Sequence, residues 1–414
     1  MERKRCINID WLELYCLEDS IGYPHDAEFF RKAGLHVVER EYGTPVYHEM
    51  FTIYDHHNQP LIEVRRNPKS AVGRQLHGVL DPNACHIRLS NRTCYFNQPT
   101  KLLQDFIEQY GFHYQRISRI DIAYDFTLFD YGDQPSVFME RYFKHRYSKI
   151  NQANIRAHGT DLWDGRLWNS VSWGNPKSMI GTKFYNKKME LEQVRDKPYI
   201  RQAWCAAGLV DDADTLTKYT QVNGEVVPTH PDIWRVEFSI KSSTRNWFII
   251  ENVQGQKKKI QSIRHTLDMY QDRSQLWTMF LSLADHYFHF KKFQEGVRKD
   301  RCEDKRLFDF NSSNTYYKLE NIKTIESPDK ANKRLRLMLE NYRDQHVDPD
   351  TFKACNTLIA KLYEEYHTVS MPMPWNMTEV KAMRLLLKHR MEARRPINET
   401  LEELMKLLEN GDIY

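Results

Sequence analysis

The stretch Arg119-Ile-Asp-Ile-Ala-Tyr-Asp-Phe126 alternates ionisable and apolar residues along its length. That period of two is the signature of a β-strand with two unlike faces. Asp121, Ala123 and Asp125 share one face, while Ile120, Ile122 and Tyr124 share the other. Two later segments repeat the arrangement. Lys183-Phe-Tyr-Asn-Lys187 sets Tyr185 between Lys183 and Lys187, and Trp234-Arg-Val-Glu-Phe238 pairs Arg235 with Glu237; Phe184, Val236 and Phe238 take the opposite, core-like face. As neighbours in one sheet, the three strands would gather three carboxylates, a tyrosine and several cations on a single surface. Facing carboxylates repel and resist joint desolvation. A hard divalent cation with oxygen ligands resolves that conflict. Cross-strand ion pairs to Arg119 and Arg235 on an ordinary solvated face resolve it equally well.

The rest of the first 300 residues reads as α+β. Short alternating or β-branched runs recur at His48–Tyr54, Leu61–Arg65, Cys85–Leu89 and Val171–Trp173, with His56-His57-Asn58-Gln59-Pro60 as a hairpin turn between two of them. Helices are expected at Thr100–Tyr110, with Thr100 as N-cap, at Pro135–His145, and at Lys188–Ala207 with Pro198 interrupting. From Lys257 to Phe293 the pattern turns helical. The expected architecture is a twisted, mostly antiparallel sheet platform with flanking helices over 1–300, a linker over 301–325, and an all-helical region over 326–414.

At 414 residues, the chain is long enough for two or three domains. Lys+Arg 60 against Asp+Glu 56 is nearly balanced, so a nucleic-acid footprint has to come from local clustering. Seven cysteines without C-x-x-C spacing disfavour a zinc ribbon and a disulfide framework, and suggest free thiols in a reducing cytoplasm. Neither a P-loop nor G-x-G-x-x-G occurs, which removes the main support for nucleotide hydrolysis. No apolar run reaches the roughly 18 residues of a membrane span, and the basic start lacks the apolar segment of a signal peptide.

Arg119-Ile-Asp-Ile-Ala-Tyr-Asp125 resembles the R-x-D-x-A-x-D strand of the Rep_trans family of rolling-circle plasmid replication initiators, whose relatives are relaxases of mobile elements. The order of blocks is also similar. Gly174-Asn-Pro-Lys-Ser178 stands for the family's G-S-x-x-S loop, Lys183-Phe-Tyr-Asn-Lys187 for R-x-Y-D-K, and Trp234-Arg-Val-Glu237 for W-x-R-V-E. Cys85-His-Ile-Arg-Leu-Ser90 and Cys94 resemble an upstream strand and turn. The likeness spans roughly 9–295. Asn186 and Asn175 depart from the family's Asp and Ser, and the insertion Ala207–Pro231 is long.

The resemblance implies a site-specific endonuclease and strand transferase. It would nick origin DNA through a 5′-phosphotyrosyl link and rejoin it without ATP. Tyr185 matches the nucleophile. A phenol is a weak nucleophile at neutral pH and needs help. Lys183, Lys187 and Arg235 are the cations placed to help it. Asp121, Asp125 and Glu237 become ligand candidates for Mg²⁺ or Mn²⁺. The expected partner is double-stranded origin DNA with a single-stranded nick region. A homodimer and a helicase partner are also implied. A relaxase of a conjugative or mobilisable element shares this chemistry, and a non-catalytic DNA-binding regulator is the rival of another class.

Phosphate contacts are expected from Arg65, Arg66 and Lys69, from Lys177, and from the acid-free cluster Lys257, Lys258, Lys259 and Arg264. Trp163, Trp168 and Trp173 are candidates for stacking an unpaired base, or for the core. His56-His57 belongs to a turn and His286 and His289 to a helix face. The chain lacks the histidine pair, flanking one apolar residue, that other rolling-circle enzymes use.

Overall fold

The structure is a computed structural model describing residues 6–18, 25–69, 81–151, 154–162, 165–175, 178–241, 246–253, 256–298, 301–310 and 315–319. By internal contacts the chain divides into Met1–Glu320 and Asn321–Tyr414. The helical region expected over 326–414 lies outside the described residues.

The fold is α+β, built on a ten-stranded sheet. In chain order come β1 (Cys6–Leu17), helix α1 (Ala27–Lys32), β2 (His36–Glu39), β3 (Tyr47–Tyr54), β4 (Pro60–Pro68) and β5 (Ala84–Leu89). Helix α2 (Pro99–Gln109), β6 (His113–Phe126), α3 (Pro135–Phe143), β7 (Tyr147–Lys149), β8 (Ile155–Leu162), β9 (Gly165–Trp173) and β10 (Ile180–Asn186) follow. Then come α4 (Lys187–Gln193), α5 (Pro198–Ala206), the hairpin β11 (Lys218–Val222) and β12 (Glu225–Thr229), and β13 (Trp234–Lys241). The last elements are β14 (Asn246–Val253), β15 (Gln256–Arg264), α6 (Arg273–Tyr287), β16 (Phe290–Lys292), β17 (Asp304–Lys305) and β18 (Thr315–Leu319). The main sheet runs β2-β3-β4-β5-β1-β6-β13-β10-β9-β8, and every neighbouring pair is antiparallel.

One face of this sheet is apolar and carries the main core. Ile120, Ile122, Tyr124 and Phe126 of β6 stand beside Trp234, Val236, Phe238 and Ile240 of β13 and Phe184 of β10, all buried. Helix α6 covers them. Tyr124 lies 5.1 Å from Trp277 and 4.9 Å from Phe280, ring centre to ring centre. A capping box closes the start of α6, with Asp272 accepting from Gln275 N and the Gln275 side chain returning to the Asp272 N–H. Burying each large apolar side chain contributes about 1.5–3 kcal/mol, which is what holds α6 against the sheet.

Three sequence expectations change. Helix was expected from Lys257, yet Gln256–Arg264 is strand β15, paired with β14; its Ile260 and Ile263 suit either state in so short a window. Part of the expected linker belongs to the body, since Leu307 is buried, Phe308 packs on Tyr124 and Phe126, and β18 pairs with β14. Helix α2 starts at Pro99 with Gln98 as N-cap, because proline's fixed φ suits the first helical position. As expected, Pro198 interrupts the run Lys188–Ala207, which divides into α4 and α5. No helix among the described residues is long and apolar enough to cross a membrane.

Candidate active site

The other sheet face is polar, and the register stacks its groups in rows. Asp125 of β6 lies opposite Arg235 of β13, which lies opposite Tyr185 of β10. One pair of residues along, Ala123, Glu237 and Lys183 stand in line, and beyond them Asp121 faces Ser239. Directly opposed residues project to the same side of a sheet. The face read from alternation thus brings together Asp121, Asp125, Lys183, Tyr185, Arg235 and Glu237. Tyr124 projects into the apolar core instead.

Tyr185 is half-buried, and its hydroxyl donates to Glu237 Oε2 at 3.0 Å. Lys183 Nζ donates to the other oxygen, Glu237 Oε1, at 2.7 Å. Burial would push the Glu237 carboxyl up, but the Lys183 ammonium overrides it and holds the acid below the ordinary glutamate range. Burial, and then the Glu237 charge, drive the Tyr185 phenol well above its ordinary value. The resting site therefore holds a protonated phenol donating to an ionised carboxylate.

Lys187 arrives by another route. The strand ends at Asn186, whose side chain caps α4 by accepting from Met189 N at 3.0 Å, so Lys187 opens a helix and strand parity does not place it. It is nonetheless buried, with Nζ 5.4 Å from the Tyr185 ring centre and an ion pair to Glu190. Burial and the nearby Arg235 lower its pKa.

Arg235 is fully buried and clamps Asp125 through two bonds, Nε to Oδ1 at 2.6 Å and Nη2 to Oδ2 at 2.7 Å. Trp204 Nε1, from α5, donates to Asp125 Oδ2 at 2.7 Å. Arg235 Nη2 also reaches the Tyr95 hydroxyl at 2.8 Å, and Nη1 lies 3.0 Å from Asp10 Oδ1. Tyr95 in turn donates to Asp10 at 2.7 Å. Burial opposes ionisation of Asp10, but Arg235 and Lys187 hold its pKa well below normal. Over this end of the face sits a second apolar cluster that includes Cys6, Leu191, Ile200, Trp204 and Ile233.

The expected metal trio does not fit a cation. Both Asp125 oxygens are taken by Arg235 and Trp204. Asp121 is paired with Arg119 and Glu237 with Lys183. Among the described residues no three acidic, histidine or cysteine side chains converge as a metal site would require. Burial, with the like charge of Glu237 against the Arg119 hydrogen bond, raises Asp121 to about 6. Of the two resolutions left open by the sequence, ion pairing is the one the side chains adopt.

The expected phosphate contacts scatter. Arg66 is spent on Glu18 (2.7 Å) and Glu49 (2.5 Å), and Lys69 Nζ donates to Thr44 O at 2.9 Å. Arg65 lies on β4, paired with Glu63 at 2.6 Å. Arg264 is exposed at the end of β15 and reaches Gln115 O at 3.3 Å. Lys177 lies outside the described residues, as do the side chains of Lys257, Lys258 and Lys259. Trp173 is buried with its N–H on the Tyr142 hydroxyl, and Trp168 stacks on Phe143 at 3.8 Å, so both serve packing; Trp163 lies outside the described residues. His56-His57 is a turn, and His289 pairs with Asp304 at 2.8 Å.

Alternation misses Asp10, Tyr95, Trp204 and Glu190. Only Asp10 carries a sequence signal. The apolar phase of β1 slips between Ile9 and Leu12, and the structure places a bulge between Ile9 and Trp11.

No family model matches the chain, and no curated protein matches it. Among solved structures, the chain is similar to that of a rolling circle replication initiator protein from Geobacillus stearothermophilus. The TM-score is 0.39 at 13% sequence identity, over 73% of this chain and 92% of that one. At that level of likeness neither fold nor activity transfers.

Proposed function

We propose that the chain nicks and rejoins one strand of origin DNA, as a rolling-circle replication initiator, with Tyr185 as the nucleophile. The observation that carries the reading is the Tyr185–Glu237–Lys183 contact on the polar sheet face, inside blocks that resemble the Rep_trans motifs. A general base has to sit within hydrogen-bond reach of the proton it takes, and Glu237 does, at 3.0 Å.

In this reading Glu237 is a base rather than a metal ligand. As the phenol oxygen attacks phosphorus, its O–H proton passes to Glu237 Oε2. The P–O3′ bond breaks, the 3′ oxygen leaves and takes a proton from water, and the 5′ phosphate stays on Tyr185. Lys183, whose pKa the Glu237 charge and their hydrogen bond raise, remains an ammonium throughout and offsets charge on the phosphoryl oxygens. Arg235, locked on Asp125, fixes the strand that carries Glu237. Rejoining is the reverse: the 3′ hydroxyl attacks phosphorus and gives its proton to water, the bond from phosphorus to the Tyr185 oxygen breaks, and Glu237 returns a proton to that oxygen. A relaxase would use the same steps.

The test is a supercoiled plasmid bearing the cognate origin, with mass-spectrometric mapping of the adduct. Nicking is expected with an oligonucleotide on the Tyr185 peptide, and Tyr185→Phe is expected to lose at least about 10³-fold in rate. Nicking by the Phe variant at the wild-type rate, or an adduct on another residue, would overturn the assignment.

A further inference from the structure

Beyond the Tyr185 end, the same polar face continues across β1, β5 and β4. Lys241, Arg119, Glu13, Arg88 and Glu63 stand in register across five strands, a row of three cations and two acids. Three guanidinium groups converge on the single carboxylate of Glu63: Arg65 at 2.6 Å, Arg88 at 3.8 Å and Arg40 at 3.9 Å. Arg65 also reaches Glu13 at 3.5 Å, so two carboxylates serve three guanidinium groups and one positive charge is left over. Arg88 is the least satisfied of them. Its Nε is buried without a hydrogen-bond partner, and burial lowers its pKa. The Arg88 side chain is nonetheless 21% exposed, so the outer edge of its guanidinium can meet a phosphate.

Beside this row stands Trp11, opposite Asp121 in the register and half-buried. The Arg88 guanidinium lies 3.9 Å from its ring centre and that of Arg119 4.5 Å. Arg116 lies 4.5 Å from the ring of Tyr15 further along the same strand. Flat cations layered with aromatic rings on an open sheet form the surface on which unpaired bases stack while phosphates meet arginine. A duplex hides its base faces and has no use for the rings.

We infer that the β1–β5–β4 part of the polar face is a track for single-stranded DNA, with Trp11 stacking a base and Arg88 taking a phosphate. The inference rests on the proposed reading for its role, since the track would hold the strand that flanks the nick. By strand spacing and rise, Trp11 lies on the order of 20 Å from Tyr185 along the face. The track is thus a separate contact and not a part of the cutting site.

The experiment measures binding of dT oligomers of increasing length by fluorescence anisotropy across a salt series. It uses the full chain carrying Tyr185→Phe, so that cleavage does not intervene. The parent is expected to bind single strands better than a blunt duplex of equal length. Trp11→Ala is expected to lose about tenfold in affinity for the longer oligomers. Arg88→Gln is expected to flatten the slope of log affinity against log salt by about 0.7. Trp11→Phe, which keeps a ring but drops the indole bond to Glu13, is expected to bind nearly as the parent. It also serves if the alanine variant does not fold, as judged by circular dichroism and thermal unfolding. In that case Trp11→Phe binding like the parent and Arg88→Gln lowering the slope support the track. Folded variants with parental affinity and salt slope, or duplex bound as tightly as single strand, overturn it. A chain that binds through Trp11 yet forms no adduct retains the track and loses the nickase reading. A chain that forms the adduct while ignoring Trp11 does the reverse.

Discussion

Asp125 accepts three hydrogen bonds, two from Arg235 and one from Trp204, and meets almost no solvent. Neutralising Asp125 leaves Arg235 with Asp10 as its remaining carboxylate, and losing the charge-assisted bonds costs about 1.5–3 kcal/mol. Asp125→Asn is therefore expected to lower the urea unfolding free energy by that amount, which chemical denaturation measures directly. Asp121 behaves differently. Its carboxyl is raised to about 6, above its unfolded value. At low pH it is protonated in both states and makes no difference to stability. As pH rises from about 4 to about 6 the unfolded chain releases this proton first, so the folded state loses ground, and above that window the loss is complete. Asp121→Asn removes the effect. Its unfolding free energy relative to the wild type is expected to climb by up to about 3 kcal/mol between pH 4 and pH 6.5 and then level off. A flat difference across that range would show that burial and the like charge of Glu237 do not raise Asp121.

Among elements, the central strands were legible and the helices around the site were not. Alternation places Asp121, Asp125, Arg235, Glu237 and Tyr185 on one face because a strand permits no other choice once its apolar side is buried. It does not reveal that Trp204, on α5 and 79 residues from Asp125, takes one of the acid's oxygens. Nor does it show that Lys187 leaves the strand to open α4. Such contacts depend on how a helix docks, which local periodicity does not encode. The bulge in β1 lies between these cases. It turns Asp10 and Trp11 toward the polar face in succession, and the phase slip from Ile9 to Leu12 is its trace in the sequence. A sharper element-scale test concerns α6, which the core depends on and whose start is fixed by Asp272 and Gln275. Asp272→Ala is expected to cost about 1 kcal/mol in thermal unfolding, with the site geometry untouched.

For the whole molecule, the contact division after Glu320 predicts that residues 1–320 fold cooperatively alone. The truncated chain is expected to show one thermal transition and a strand-dominated far-ultraviolet spectrum. Two transitions, or none, would count against it. The order of the sheet has a further consequence. Asp10 comes from the first strand, Asp121 from the sixth, and Glu237 and Arg235 from the thirteenth, so the site closes only when partners distant in the chain meet. At about 5–20 residues per second on the ribosome, Asp10 waits roughly 10–45 s for Arg235. A polypeptide that ends before β13 lacks Arg235 and Glu237, so the polar face assembles only once that strand has been made.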